Sequence, residues 1–290
     1  MRIGAKLPSS GPLPGRIGIP AMAQRIEAAG FASMWVSDHV LMPERIDSHY
    51  PFAADGVARW GLDDPWYDAI VAMSMAVAVT SQVEIGVAVL VLPLRHPVIL
   101  AKELASLDAL SSGRIALGVG AGWLAEEFDA LNVPYESRGA RMDEWVALLR
   151  ACWTGRPDAM NGAHYRLPAG TRLYPTPAHE IPLLFGGVSN VALRRAATQG
   201  QGWLAHQYVD ELDPVSLRAG ADRVPPDHRV VLRVAGSTGQ HAVVVDRLPE
   251  LAAAGVTEVI VDLDWDTDIN AIAALLLAAA AAIPPNETTS

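Results

Sequence analysis

Short apolar runs and longer stretches of helical periodicity take turns along this chain from one end to the other. Residues 3–7, 33–37, 83–91, 114–119, 182–185, 202–205, 228–235 and 257–263 are mostly apolar on both alternating positions, which predicts strands buried on both faces. Between them, 21–29, 65–80, 98–110, 138–153, 190–199, 209–221 and 243–254 predict helices, and a last helix closes the chain. The first of these helices runs into Gly30, a residue free to take the left-handed conformation that ends a helix. Eight strands, each followed by a helix, predict an α/β fold of the (β/α)8 TIM-barrel type. The alternative topology is an open, doubly wound sheet, which usually has fewer strands.

Three segments are longer than ordinary connections: 39–64, 124–137 and 154–181. Long connections in compact domains tend to be functional, and all three are expected near the C-terminal mouth of the barrel. No low-complexity linker or repeat beyond the βα unit interrupts the pattern. The expected organisation is one barrel domain over 1–283 and a flexible tail over 284–290.

Composition narrows the function classes. Of 290 residues, 51% are hydrophobic and 19% charged, which excludes a disordered chain. Lys plus Arg number 22 against 32 Asp plus Glu, a net charge of −10, so a nucleic-acid partner is not expected. An anionic ligand must then be held by local devices such as helix N-termini or a few placed cations. Cys152 is the lone cysteine, which excludes an intrachain disulfide and a cysteine-based zinc site. It reads as a buried, inert thiol at a helix end. The N-terminal stretch lacks the apolar core of a signal peptide, and the longest apolar run, 271–283, is too short to span a bilayer. A soluble cytoplasmic protein without a membrane partner is expected.

In a βα barrel the chemistry lies where strands end, so strand ends carry the candidates. Strand two ends Trp35-Val36-Ser37-Asp38-His39, where an adjacent acid and imidazole could be an acid/base pair, a clamp on a ring, or a turn cap beside a solvated histidine. In strand three the small Gly86 and Ala88 leave room for a flat ligand, allow an unusual backbone turn, or simply pack the interior. Strand four ends Leu117-Gly118-Val119-Gly120-Ala121-Gly122-Trp123. Its G-x-G-x-G spacing, at the fourth strand, departs from the dinucleotide fingerprint and suggests close approach of a planar ligand instead, with Trp123 as a wall. Strand five ends Phe185-Gly186-Gly187-Val188-Ser189 and opens into a helix carrying Arg194 and Arg195. Glycines with free amides, a capping hydroxyl and a helix N-terminus make an anion site; an ordinary capped turn is the plainer account. His206 ends strand six. The histidines have no tight ligand spacing, so no metal site is expected.

Read together, these segments resemble the luciferase-like monooxygenase superfamily, in its F420-dependent oxidoreductase branch. The resemblance spans essentially the whole chain. It is carried by 27–31 with 35–39, by Leu90-Val91-Leu92-Pro93-Leu94-Arg95-His96-Pro97, by 101–108 and 111–122, by 138–144, and by 186–189 through Trp203. It implies a barrel that binds coenzyme F420, or alternatively FMN, at the strand C-termini. Asp38 matches the acid and His39 the histidine beside the reactive face of the deazaflavin. Ala88-Val89 matches a position where relatives carry a non-prolyl cis peptide supporting the ring. Val91, Ala121 and Gly122 would contact the ring, and Gly186, Gly187, Val188 and Ser189 the phosphate. Trp123 stands where the sugar-phosphate dehydrogenase branch carries a proton-donating glutamate, and the nearby Glu126 and Glu127 are not taken to replace it. His39 therefore remains the candidate for proton transfer.

The activity so implied is hydride transfer to or from a small organic substrate. Two rivals are a reduced-flavin monooxygenase on the same fold and a flavin-binding protein without turnover. Trp60, Trp66, Trp123 and Tyr165, with His206, suggest a substrate pocket that is largely apolar. A homodimer is expected by the same resemblance.

Overall fold

A computed structural model describes residues 1–284. The expected tail over 284–290 lies, apart from Pro284, outside the described residues. Ten strands occur among the described residues: β1 (Arg2–Lys6), β2 (Ser33–Val36), β3 (Glu84–Val91), β4 (Ile115–Gly120), β5 (Met160–Asn161), β6 (Arg166–Leu167), β7 (Leu183–Gly186), β8 (Gly202–Tyr208), β9 (Arg229–Ala235) and β10 (Glu258–Val261). Eight of them close into a parallel barrel in the order β1-β10-β9-β8-β7-β4-β3-β2, while β5 and β6 form a separate two-stranded hairpin. The fold is a (β/α)8 barrel.

Inside the barrel, Trp35, Ala116, Leu184, Leu204, Val231 and Ile260 form one apolar layer, with Ala88 and Val89 packed against it. A larger apolar cluster fills the space between the strands and the surrounding helices. The indole of Trp35 explains Gly86: a Cβ there would lie 2.4 Å from the ring. Interior packing, not room for a ligand, accounts for that glycine. Cys152 is buried and free, at the end of the helix Arg138–Trp153. The apolar run near the C-terminus forms the helix Ile269–Ala281, and no helix among the described residues is long and apolar enough to cross a membrane.

The N-terminal end of the barrel is closed by a buried polar network rather than by apolar side chains. Glu258, which starts β10 and is fully buried, accepts from Ser33 Oγ at 2.5 Å, Trp35 Nε1 at 3.2 Å and Arg229 Nη2 at 2.8 Å. Arg229 also donates to Glu84 at 2.7 and 3.1 Å. Without Glu258, Arg229 keeps Glu84, and the buried donors lose an acceptor at a cost of about 1–3 kcal/mol. Glu258→Ala is therefore expected to lose about that much in urea unfolding followed by circular dichroism. Stability equal to that of the parent would show that water or rearrangement compensates those donors.

Two sequence expectations need correction. The helix expected from residue 65 begins at Ala69, where Asp68 caps it by accepting from Val71 N at 3.0 Å. Residues before it are held by the chain after β1: Trp66 bridges Ser10, and Tyr67 N donates to Ser9 O. More important, the segment 154–181 does not lie at the mouth. It leaves the C-terminus of the helix Arg138–Trp153, and a helix following a barrel strand runs back toward the strand N-termini. Asp108, in the helix Pro97–Ser111 that leads into β4, accepts from Ala178 N and His179 N at 2.8 and 3.1 Å. The segments 39–64 and 124–137 do follow strands, and both contribute to the mouth.

Candidate functional site

At the C-terminal ends of the strands lies a cavity of about 1220 Å³. Ordinary ligand pockets run to roughly 300–1,000 Å³, so this one has room for a large cofactor together with a substrate. Its two sides differ in chemistry.

One side is built by β2, β3, β4 and β7. Asp38, just past β2, is 4% exposed. Its Oδ2 accepts from Val91 N at 3.1 Å and its Oδ1 from Arg95 at 2.6 Å, which ties the end of β2 to the end of β3. Arg95 also reaches Asp68 at 2.9 Å. Burial raises the Asp38 carboxyl from its ordinary range, against the pull of Arg95 and of the Val91 amide.

His39 is also buried, and its Nδ1 meets Glu127 Oε2 at 3.1 Å. The other oxygen of Glu127 accepts from the amides of Val40 at 2.6 Å and Leu41 at 3.3 Å. Glu127, 1% exposed, therefore fixes both the loop and the ring. A carboxylate at Nδ1 places a proton on that nitrogen and leaves Nε2 as the atom for proton exchange. The rings of Trp66, Trp60 and Trp123 surround His39 at centroid distances of 4.8, 5.7 and 6.1 Å. Glu127 escaped sequence reasoning as a partner because 88 residues separate it from His39. Glu126 instead accepts from the amides of Asp47 and Ser48 on the long loop.

The peptide Ala88-Val89 is cis, and both residues line the cavity, as do Val91, Ala121 and Gly122. The glycines at the end of strand four line the cavity and also make room for protein neighbours. A Cβ on Gly120 would meet Val89 at 2.8 Å, and one on Gly122 would meet Phe128 at 2.6 Å. Gly186 likewise makes room for Val89, at 2.7 Å. The turn after β7 lines the cavity from Gly186 through Ser189. Gly187 has φ of +109°, and Ser189 caps the helix Asn190–Gln199 by accepting from Ala192 N at 3.2 Å. A glycine turn leading into a capped helix N-terminus suits an anion.

The other side is built by β8, β9, β10 and β1. His206 lines it, as expected, beside Phe52 at 5.0 Å between rings. Its neighbours are Arg233, Asp262 and Lys6, which sequence reasoning passed over. The available signal was an arginine inside the apolar strand β9 and a charge at the end of β1 and just after β10. Trp60 and Trp123 also line the cavity, the latter 5.0 Å from Tyr50 between rings. Tyr165 does not: its hydroxyl accepts from Trp145 Nε1 at 2.7 Å, on the outer helix. It belongs to the segment that runs away from the mouth. Among the described residues no group of three or more His, Cys, Asp or Glu side chains could hold a metal ion.

Three buried nitrogens on residues that line the cavity have no hydrogen-bond partner among the described residues: Trp60 Nε1, Trp66 Nε1 and His206 Nδ1. Buried polar groups are rarely left so, and their clustering around one cavity fits a polar ligand there.

Residues 18–239 match the family model of the luciferase-like monooxygenases. An uncharacterized protein of Mycobacterium tuberculosis is 35% identical over 246 residues, 83% of each chain. An F420-dependent glucose-6-phosphate dehydrogenase of Amycolatopsis mediterranei is 29% identical over 210 residues, 69% of this chain and 58% of the relative. Among solved structures, an F420-dependent secondary alcohol dehydrogenase in complex with an F420-acetone adduct superposes with a TM-score of 0.73 at 17% identity, covering 96% of this chain and 98% of the other. The oxygenating constituent of 3,6-diketocamphane monooxygenase from Pseudomonas putida, in complex with FMN, gives 0.60 at 14% identity, covering 80% and 66%. At these identities the structural likenesses concern the fold.

Proposed function

Because this chain belongs to the luciferase-like monooxygenase family, we propose that it is an F420-dependent oxidoreductase acting on a small organic substrate. The observation that carries the reading is His39, buried at the end of β2 and oriented by Glu127, facing a cavity large enough for cofactor and substrate. The F420-dependent glucose-6-phosphate dehydrogenases among its sequence relatives support the same choice over FMN.

The residues present fit such a cofactor. Gly186, Gly187, Val188 and Ser189 would hold its phosphate on backbone amides and a helix N-terminus. Ala88, Val89, Val91, Ala121 and Gly122 would back the ring, and Asp38 would hold the neighbouring strand ends in register through Val91 and Arg95. When bound, the deazaflavin supplies a hydride donor or acceptor of low reactivity toward oxygen. His39 would take or give the accompanying proton at Nε2, while Glu127 keeps Nδ1 occupied. Trp60, Trp66 and Trp123 would exclude water around that atom.

Titrating the purified protein with F420 and with FMN tests this, read by deazaflavin fluorescence and by quenching of the cavity tryptophans. F420 is expected to bind at least about tenfold more tightly, a difference of about 1.4 kcal/mol. Tighter binding of FMN, with oxygen consumed on reduction, would replace this reading by the monooxygenase one.

A further inference from the structure

The side of the mouth opposite the proposed cofactor residues carries charges that the proposed chemistry does not use. His206 in β8, Arg233 in β9, Asp262 after β10 and Lys6 at the end of β1 line it on four consecutive strands. Register makes His206 the neighbour of Arg233 across β8 and β9, and Ala5 the neighbour of Val261 across β1 and β10. Lys6 and Asp262, one residue further along, therefore share the rim.

The charges do not cancel. Arg233 is paired with Asp262, whose other oxygen accepts from Gly236 N at 2.8 Å. The ammonium of Lys6 bonds Ser37 Oγ and forms no ion pair with a carboxylate among the described residues. An ammonium carries three donors, so two remain. Nearby acids are committed elsewhere: Asp38 to Arg95 and the Val91 amide, Asp210 and Glu211 to Arg59, Glu127 to His39. The floor thus holds one cation in excess, beside the unpartnered Nδ1 of His206. Lys6 is half-buried and lines the cavity, so its remaining donors are open to an anionic ligand there.

We propose that Lys6 and His206 form the subsite for a carboxylate carried by the substrate, with the Arg233–Asp262 pair positioning them. It rests on the cofactor reading only in leaving this side of the cavity to the substrate. One surplus positive charge matches a monoanion; a phosphate dianion would call for two. Tyr50, Phe52 and Trp60 flank the site and favour an apolar body behind the carboxylate.

The cluster makes the binding pH-dependent. Burial, then Arg233, lowers the Lys6 ammonium to about 7, while Asp262 opposes them. Burial, then Arg233, lowers His206 to about 3, so it is neutral throughout the range of interest. Ser37 after β2, His206 on β8, Arg233 on β9 and Asp262 after β10 are the other groups facing Lys6. A bound carboxylate favours the charged ammonium and raises its pKa in the complex. Below about 7 Lys6 is charged before and after binding, and affinity is flat. Above it, each binding event takes up a proton, so affinity falls by about tenfold per pH unit until the pKa of the complex is reached.

The test is calorimetric titration of the cofactor-free protein with benzoate, benzamide and inorganic phosphate, at several pH values. Benzoate is expected to bind at least about tenfold more tightly than benzamide or phosphate, and to weaken above neutrality as described. Lys6→Met, checked for fold by circular dichroism, is expected to lose at least about tenfold in benzoate affinity and all of the pH dependence. If that variant does not fold, the pH profile of the parent protein decides. Absent benzoate binding, equal binding of benzamide, tighter binding of phosphate, a flat pH profile or unchanged affinity in Lys6→Met would each overturn the assignment. A protein that binds F420 but not benzoate loses only the subsite, and one that binds benzoate but not F420 loses only the cofactor reading.

Discussion

Replacing His39 by alanine is expected to cut steady-state turnover by about 10²–10⁴-fold, the usual worth of a positioned general acid or base. F420 affinity should change by no more than a few-fold. The asymmetry follows from what the ring touches. Its Nδ1 is held by Glu127, and the residue lines the cavity without bonding the strand ends. Asp38, not His39, links the strand ends that would carry the ring. Turnover in a deazaflavin-linked assay, with cofactor affinity measured alongside, separates the two roles. Near-full turnover in His39→Ala would mean that the proton travels by another route. His206 would be a poor substitute, since burial and Arg233 keep it from binding a proton near neutral pH.

The second large effect is expected at Gly187. Gly187→Asp should weaken F420 binding by roughly 10²–10³-fold, because a carboxylate would stand where the phosphate is to sit. Two like charges about 4 Å apart repel by about 4 kcal/mol in the dielectric typical of a protein surface, and relaxation returns part of that. The substitution also strains the backbone, since φ at this position is +109° and a Cβ would lie 3.2 Å from Ala192 Cβ. That strain acts on folding more than on binding. Gly187→Asn imposes similar bulk and strain without the charge, and should bind F420 at least about tenfold more tightly than the Asp variant. Equal affinity of the two variants, or an Asp variant that binds like the parent, would remove the anion from this turn.

Much of the architecture was legible in the chain because it depends on local patterns. An apolar run bounded by turn residues is a buried strand wherever it occurs, and eight of them alternating with helices leave a closed barrel as the economical solution. Strand ends then point to the mouth, which brought Asp38, His39, the strand-four glycines and the turn at 186–189 into view. The cis peptide at Ala88-Val89 was implied by family resemblance; the small side chain of Ala88 is its one local trace.

What tertiary structure alone decided is which side chains meet. Sequence leaves a glycine ambiguous between a ligand and a neighbour, and packing resolved Gly86 in favour of Trp35. Tyr165 looked like a pocket residue by composition but follows a helix, and the direction of that helix takes it away from the mouth. Glu127 reaches His39 because the helix Ala125–Ala130, after β4, sits beside the segment that follows β2. Lys6 and Asp262 lie at opposite ends of the chain, and the closure of β1 against β10 makes them neighbours. Periodicity encodes the element and the face a residue occupies, whereas register between strands distant in sequence sets its partners, and in this barrel the chemistry resides in those partners.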